Sequence, residues 1–215
     1  MDKIKAIGAG YCELNRFDSD GKPLYPLEEY EKIRHDILND FTSKRGEFIA
    51  KCIDVDQTLG DAIQWFFFKH NMSEAAAFRE LVLNQPTFSF RKKFELVQSL
   101  VKKYPDSYPT IAKKNDFEIF KAKLNSIIRI RNLLAHGELC IDYKTKQAIL
   151  SKYYTDEQIT RSEPLPDFKD FQKDIKWVIN YCHYHLIFPD DTFPVNDDYE
   201  YDWKKIQGIV VHWIK

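Results

Sequence analysis

Of the 215 residues, 44% are apolar and 30% charged, and the formal net charge is −1. That apolar share is enough for one ordinary buried core, while seven Gly and nine Pro are too few for a loop-dominated or low-complexity chain. No apolar run is long enough to cross a bilayer, and the N-terminus lacks the charged-then-apolar layout of a signal peptide, so a cytoplasmic protein with no membrane contact is expected.

Residues 1 to 25 show no clear period and read as an irregular N-terminal segment, with Asp18-Ser19-Asp20-Gly21-Lys22-Pro23 as a loop. A helix is predicted from near Pro26 to about Phe41, because Pro is tolerated in a first turn. A longer one covers roughly 45 to 69, with Phe48, Ile49, Cys52, Ile53, Leu59, Ile63, Phe66 and Phe67 at helical spacing. Ser73 can cap a short helix reaching about Leu83, and another spans about 88 to 103. Asn115 then serves as N-cap for a helix over 115 to 136, with Glu118 three residues on and Gly137 as its stop. Phe117, Phe120, Leu124, Ile127, Leu134 and Ala135 form its apolar stripe. Leu139 to Tyr143 and Ala148 to Tyr154 read as a β-hairpin around Lys144-Thr145-Lys146-Gln147. A final helix runs from about Asp167 to Phe188. The fold class expected is therefore mainly all-α: a helical domain over 26–188 with a small β-hairpin inserted after the 115–136 helix, and an acidic, aromatic tail over 189–215.

The four cysteines, Cys12, Cys52, Cys140 and Cys182, are scattered, so buried thiols are expected rather than a disulfide framework or a zinc site. In Cys182-His183-Tyr184-His185, helical neighbours point about 100° apart and do not converge on one ion. No metal or other cofactor is expected. Charge is unevenly spread: between Arg91 and His136 there are 11 Lys/Arg against 4 Asp/Glu, and between Pro189 and Asp202 there are 6 acids and no base. A basic middle section suits a phosphate backbone, although solvated helix faces are often Lys-rich as well.

Two charged residues fall on apolar stripes. Asp56 interrupts the row 49, 52, 56, 59, 63, and Arg45 lies three turns earlier on the same face. Arg131 interrupts the row 120, 124, 127, 131, 134. Buried charge is costly unless paired, so Asp56 and Arg131 ask for each other or for a ligand. Asn132 and His136 are four residues apart, which lets the Asn amide orient the imidazole. A helix C-terminus also suits a cationic imidazole. An Arg that neutralises phosphate beside a His that moves a proton is a device for cutting a phosphodiester.

Arg131-Asn132 followed by three residues and His136, inside Ile130-Arg131-Asn132-Leu133-Leu134-Ala135-His136-Gly137, resembles the R-(polar)-x-x-x-H signature of HEPN domains. Arg45-Gly46, Asp56, Leu59 and Gly60 are similar to the first core helix of the mannitol-repressor-like branch of that superfamily. The resemblance covers roughly residues 40 to 190. It implies a compact helical bundle that forms a homodimer, and a metal-independent endoribonuclease with Arg131, Asn132 and His136 as catalytic residues supported by Asp56 and Arg45. It also implies RNA as substrate, and settings such as phage defence or toxin–antitoxin pairs with an antitoxin or regulatory partner. The second reading is a non-catalytic dimeric interaction or regulatory module built on the same helices. A third treats the acidic tail as a mask over the basic 91 to 136 face. There is no phosphate-cradling Gly loop, no G-x-S-x-G elbow and no H-E-x-x-H helix.

Overall fold

Residue Asp142 holds the first unit of the fold together. In a computed structural model of the chain, which describes residues 5–7, 11–69, 71–109, 111, 116–153, 159–164 and 167–187, five strands form one sheet in the order β1 to β5. They are β1 (Lys5–Ile7), β2 (Tyr11–Leu14), β3 (Glu138–Asp142), β4 (Gln147–Tyr153) and β5 (Ile159–Pro164). β2 and β3 run parallel, with Cys12 opposite Cys140, and the other neighbouring pairs are antiparallel. Just past these strands, Asn15 Nδ2 donates to Asp142 Oδ1 at 2.9 Å, and the Tyr143 N–H donates to the Leu14 carbonyl at 3.1 Å. Asp142 also receives the Lys144 N–H on Oδ1 and the Thr145 hydroxyl on Oδ2, each at 2.9 Å. This is how an Asp closes a tight turn onto its own backbone.

The helices are α1 (Leu27–Phe68), α2 (Met72–Phe78), α3 (Phe90–Lys103), α4 (Phe117–His136) and α5 (Phe168–Tyr181). π-helical turns follow α2 (Arg79–Leu83) and α5 (Cys182–Ile187). The protein is thus mainly α-helical with a small β-sheet, and the hairpin after the 115–136 helix is present as β3 and β4. Several details differ from the sequence expectation. The 1–25 segment contains two strands, which the period-free sequence does not signal because β1 and β2 are only three and four residues long. The two helices expected over 26–41 and 45–69 are one helix of 42 residues, and nothing approaches Gly46 that would break it there. Asn71, rather than Ser73, caps α2 by accepting the Glu74 N–H at 3.3 Å. The Asn115 cap and the 189–215 tail lie outside the described residues.

The chain divides into two compact units: Met1–Ala50 with Arg129–Asp170, and Lys51–Ile128 with Phe171–Lys215. α1 and α4 each contribute one end to either unit. In the first, Tyr30 and Ile33 from α1 pack with Ile141 and Tyr143, partly shielded by Tyr25, Ile37 and Leu38. The Tyr30 and Tyr143 rings meet edge to face at 4.7 Å, a favourable arrangement of aromatic quadrupoles. Their hydroxyls are satisfied: Tyr143 donates to Glu13 Oε1 at 2.7 Å and Tyr30 to the Arg16 carbonyl. Cys140 is disulfide-bonded, which corrects the expectation of four buried thiols, whereas Cys52 and Cys182 are free and buried.

The second unit is helical. Cys52, Val55, Leu59, Ala62 and Ile63 of α1 are buried, as are Phe94, Val97 and Leu100 of α3 and Phe120, Leu124 and Ile127 of α4. Phe120 links two helices by ring contact, edge-on to Phe94 at 6.2 Å and stacked on Tyr181 of α5 at 4.7 Å. Each such fully buried side chain contributes about 1.5–3 kcal/mol. Ile53 and Phe67, expected on the α1 stripe, are about half exposed, and Val55 takes the central place.

Asp56 and Lys93 form the charged pair of this unit. Lys93 is 5% exposed and its Nζ donates to Asp56 Oδ2 at 2.8 Å, while Asp56 Oδ1 is buried without a hydrogen bond. Lys93→Met alone should lower stability by about 2 kcal/mol, since it strands a partly buried carboxylate. Adding Asp56→Leu should restore most of that loss in urea titrations; a double variant as unstable as the single one would contradict this account.

The Asp142 turn carries a pH dependence. Burial pushes its carboxyl up, but hydrogen bonds from Asn15, Thr145 and the Lys144 and Thr145 backbone outweigh burial and hold it below the usual carboxylate range. A depressed folded value means stability that is present above the unfolded pKa and lost as pH falls through the folded one. The difference in melting temperature between wild type and Asp142→Asn should be full at pH 7 and shrink below about pH 4. A constant difference across that window would refute the assignment.

Candidate functional site

The last two turns of α4 belong to the first unit. Ile130 and Leu134 are buried there, which turns the intervening polar residues outward: Arg131 is half-buried, and Asn132 and His136 are exposed. The helix ends where the sequence predicts. The Gly137 N–H donates to the Leu133 carbonyl at 2.7 Å, and β3 begins at the next residue. His136 therefore sits in the final turn, beside the carbonyl end of the helix dipole.

The structure brings Arg131 and Asn132 together but not in the way expected. Arg131 Nη1 donates to Asn132 Oδ1 at 3.2 Å, and the Asn amide makes no hydrogen bond to His136. An Asn–His contact at four-residue spacing does occur in the chain, at Asn39 and His35 of α1, where Asn39 Nδ2 lies 3.2 Å from His35 Nδ1. At 132 and 136 the neighbouring guanidinium is the stronger donor and takes the amide oxygen.

Asp56 was expected to hold Arg131. The two residues belong to different units, and each has a partner in its own: Asp56 Oδ2 accepts from Lys93, and Arg131 donates to Asn132. The signal for Lys93 was present in the sequence, since it falls on the buried 93, 97, 100 face of α3. The basic 91–136 stretch is likewise divided, with 91–128 in one unit and 129–136 in the other.

Arg45 lies in the same unit as the motif. It is half-buried and lines a cleft of about 350 Å³ to which α1, the end of α4, the β3–β4 turn and the start of α5 all contribute. Phe48 and Phe168 meet there at 5.5 Å, beside Leu134 of the motif helix. Sequence reasoning missed this cleft because its walls come from four separate segments. No group of three His, Cys, Asp or Glu side chains among the described residues could hold a metal ion. Cys182 and His185 are buried in the π-helical turn after α5; burial pushes the Cys182 thiol up and lowers His183. Among the described residues no helix is long and apolar enough to cross a membrane.

Because Arg131 and Asn132 bond only to each other among the described residues, Arg131→Ala should change stability by less than about 0.5 kcal/mol. A thermal melt within a degree or two of wild type would confirm this, and a large drop would mean that the side chain carries the fold. No protein-family model matches this chain, and comparison with curated proteins and with solved structures finds no match for it.

Proposed function

We propose that this protein is a metal-independent endoribonuclease of HEPN type, acting as a homodimer in which two copies of the α4 end face one another. The observation that carries this reading is the placement of Arg131, Asn132 and His136 together on the last two turns of one helix, with His136 exposed and held by no hydrogen bond among the described residues. A side chain kept for folding is ordinarily buried or bonded. Asn132 and His136 are turned to solvent beside half-buried Arg131, while Leu134 anchors the helix.

The chemistry available is transesterification within the RNA. The 2′-oxygen attacks phosphorus, the P–O5′ bond breaks, and the products are a 2′,3′-cyclic phosphate and a 5′-hydroxyl. His136 of one protomer accepts the 2′ proton, and His136 of the partner subunit supplies a proton to the departing O5′. Arg131 neutralises the charge that develops on the phosphoryl oxygens, and Asn132 holds the guanidinium in place through the bond already formed. The biological setting this reading suggests is a phage-defence or toxin–antitoxin system. One observation favours the alternative of a non-catalytic dimeric module: among the described residues His136 has no orienting partner.

The test is cleavage of a panel of single-stranded and structured transcripts in the presence of EDTA. His136→Ala should reduce cleavage by about a hundredfold or more, with circular dichroism and dimer mass unchanged. A wild type that cuts no transcript, or a His136→Ala variant that cuts equally well, would leave only the interaction module.

A further inference from the structure

The cleft beside the motif helix combines an apolar floor with one uncommitted cation. Half-buried Phe168, backed by the buried Phe48 ring at 5.5 Å and by buried Leu134, presents the accessible apolar wall of the cleft. Around the rim, most of the charge is already engaged. Lys44 Nζ donates to Asp40 Oδ2 at 2.7 Å. Asp167 Oδ1 caps α5 by accepting the backbone N–H groups of Lys169 and Asp170 at 2.9 and 3.1 Å. Lys146 lies 3.6 Å from Glu29 and over the Tyr25 ring. Arg45 has neither an ion pair nor a hydrogen bond among the described residues.

From these features we infer that the cleft is a docking site for an acidic peptide segment of a protein partner, which seats an aromatic or aliphatic side chain on Phe168 and gives a carboxylate to Arg45. A guanidinium half-buried beside apolar walls matches a carboxylate bidentately, and its desolvation strengthens that bond. The mixed rim favours a peptide over a nucleic acid. Asp40 and Asp167 would repel successive phosphates, yet they remain acceptors for the N–H groups of a peptide backbone. The volume suits one large anchoring side chain. Leu134 belongs to the same last two turns of α4 as Arg131 and His136, so a peptide in the cleft binds against the helix that carries the motif. The cleft is thereby a control point for the proposed nuclease site, and in that respect the inference rests on the ribonuclease reading.

Panning a random peptide phage library on the immobilised full chain tests the docking site without any RNA. Wild type should enrich peptides that place Asp or Glu next to Phe, Tyr, Trp or Leu. A synthetic peptide of that consensus should bind at least about tenfold more weakly to Arg45→Met, the loss expected for one charge-assisted hydrogen bond. It should bind His136→Ala as well as wild type. The melting temperature of Arg45→Met should match wild type, since the side chain has no partner to lose. No acidic–apolar consensus, or a consensus peptide indifferent to Arg45→Met, would overturn the inference. So would displacement of the peptide by a ten-nucleotide single-stranded RNA whose own binding depends on Arg45, because that outcome assigns the cleft to nucleic acid. Where transcripts are cut, the peptide should inhibit wild-type cleavage. Peptide binding without any cleavage by wild type would retain the docking site and remove the nuclease.

Discussion

Parallel pairing of β2 with β3 brings together residues from opposite ends of the chain: Asn15 and Asp142 are 127 positions apart. Closing so long a loop costs conformational entropy, so the contact must be well satisfied to persist. Asp142 achieves this by accepting from one side chain across the loop, one hydroxyl and the backbone of its own turn. The site depends on that closure. Only Gly137 separates His136 from β3, so the strand that pairs with β2 also fixes where the motif helix stops.

Three charged groups illustrate how burial sorts structural from functional roles. Asp142 is buried and fully engaged, and Asp56 is half-buried with one buried partner. Arg45 is half-buried with none. The first two contribute to folding because their removal would strand a donor or a cation. The third has no such partner among the described residues, and the proposed peptide carboxylate would offset its partial desolvation. The same contrast distinguishes Arg131, tied to Asn132 at the surface, from the apolar residues on either side of it.

Much of the helical content was legible in the sequence. The 3.6-residue spacing of Phe120, Leu124 and Ile127, and the Gly137 stop, placed α4 to within two residues, and the hairpin followed from its β-branched and aromatic arms. Misreadings arose where a local signal was outweighed by distant partners. A boundary was expected between Phe41 and Arg45, yet Thr42, Ser43 and Lys44 stay helical, and burial of Phe41 and Phe48 on either side carries α1 through them. β1 and β2 were invisible because strands of three and four residues carry too little alternation, and their justification lies in β3. For the site, the exposure of Asn132 and His136 could be read from helical phase. For Asp56 the phase of α3 marked Lys93 as a cation on a buried face, but apolar stripes interrupted by opposite charges do not say which stripes meet.

The single-residue link between α4 and β3 also limits how this chain can vary in length. Strand side chains alternate with period two, so adding or removing one residue at Gly137 would exchange the two faces of β3, putting Cys140 and Asp142 where Leu139 and Ile141 now pack. The same change would rotate the last turn of α4 by about 100° relative to the sheet. Length variation is tolerable in the β3–β4 turn, where Lys144, Thr145 and Lys146 are all exposed. Natural variants and engineered fusions should therefore keep the 136–142 spacing constant and accept insertions only beyond Asp142.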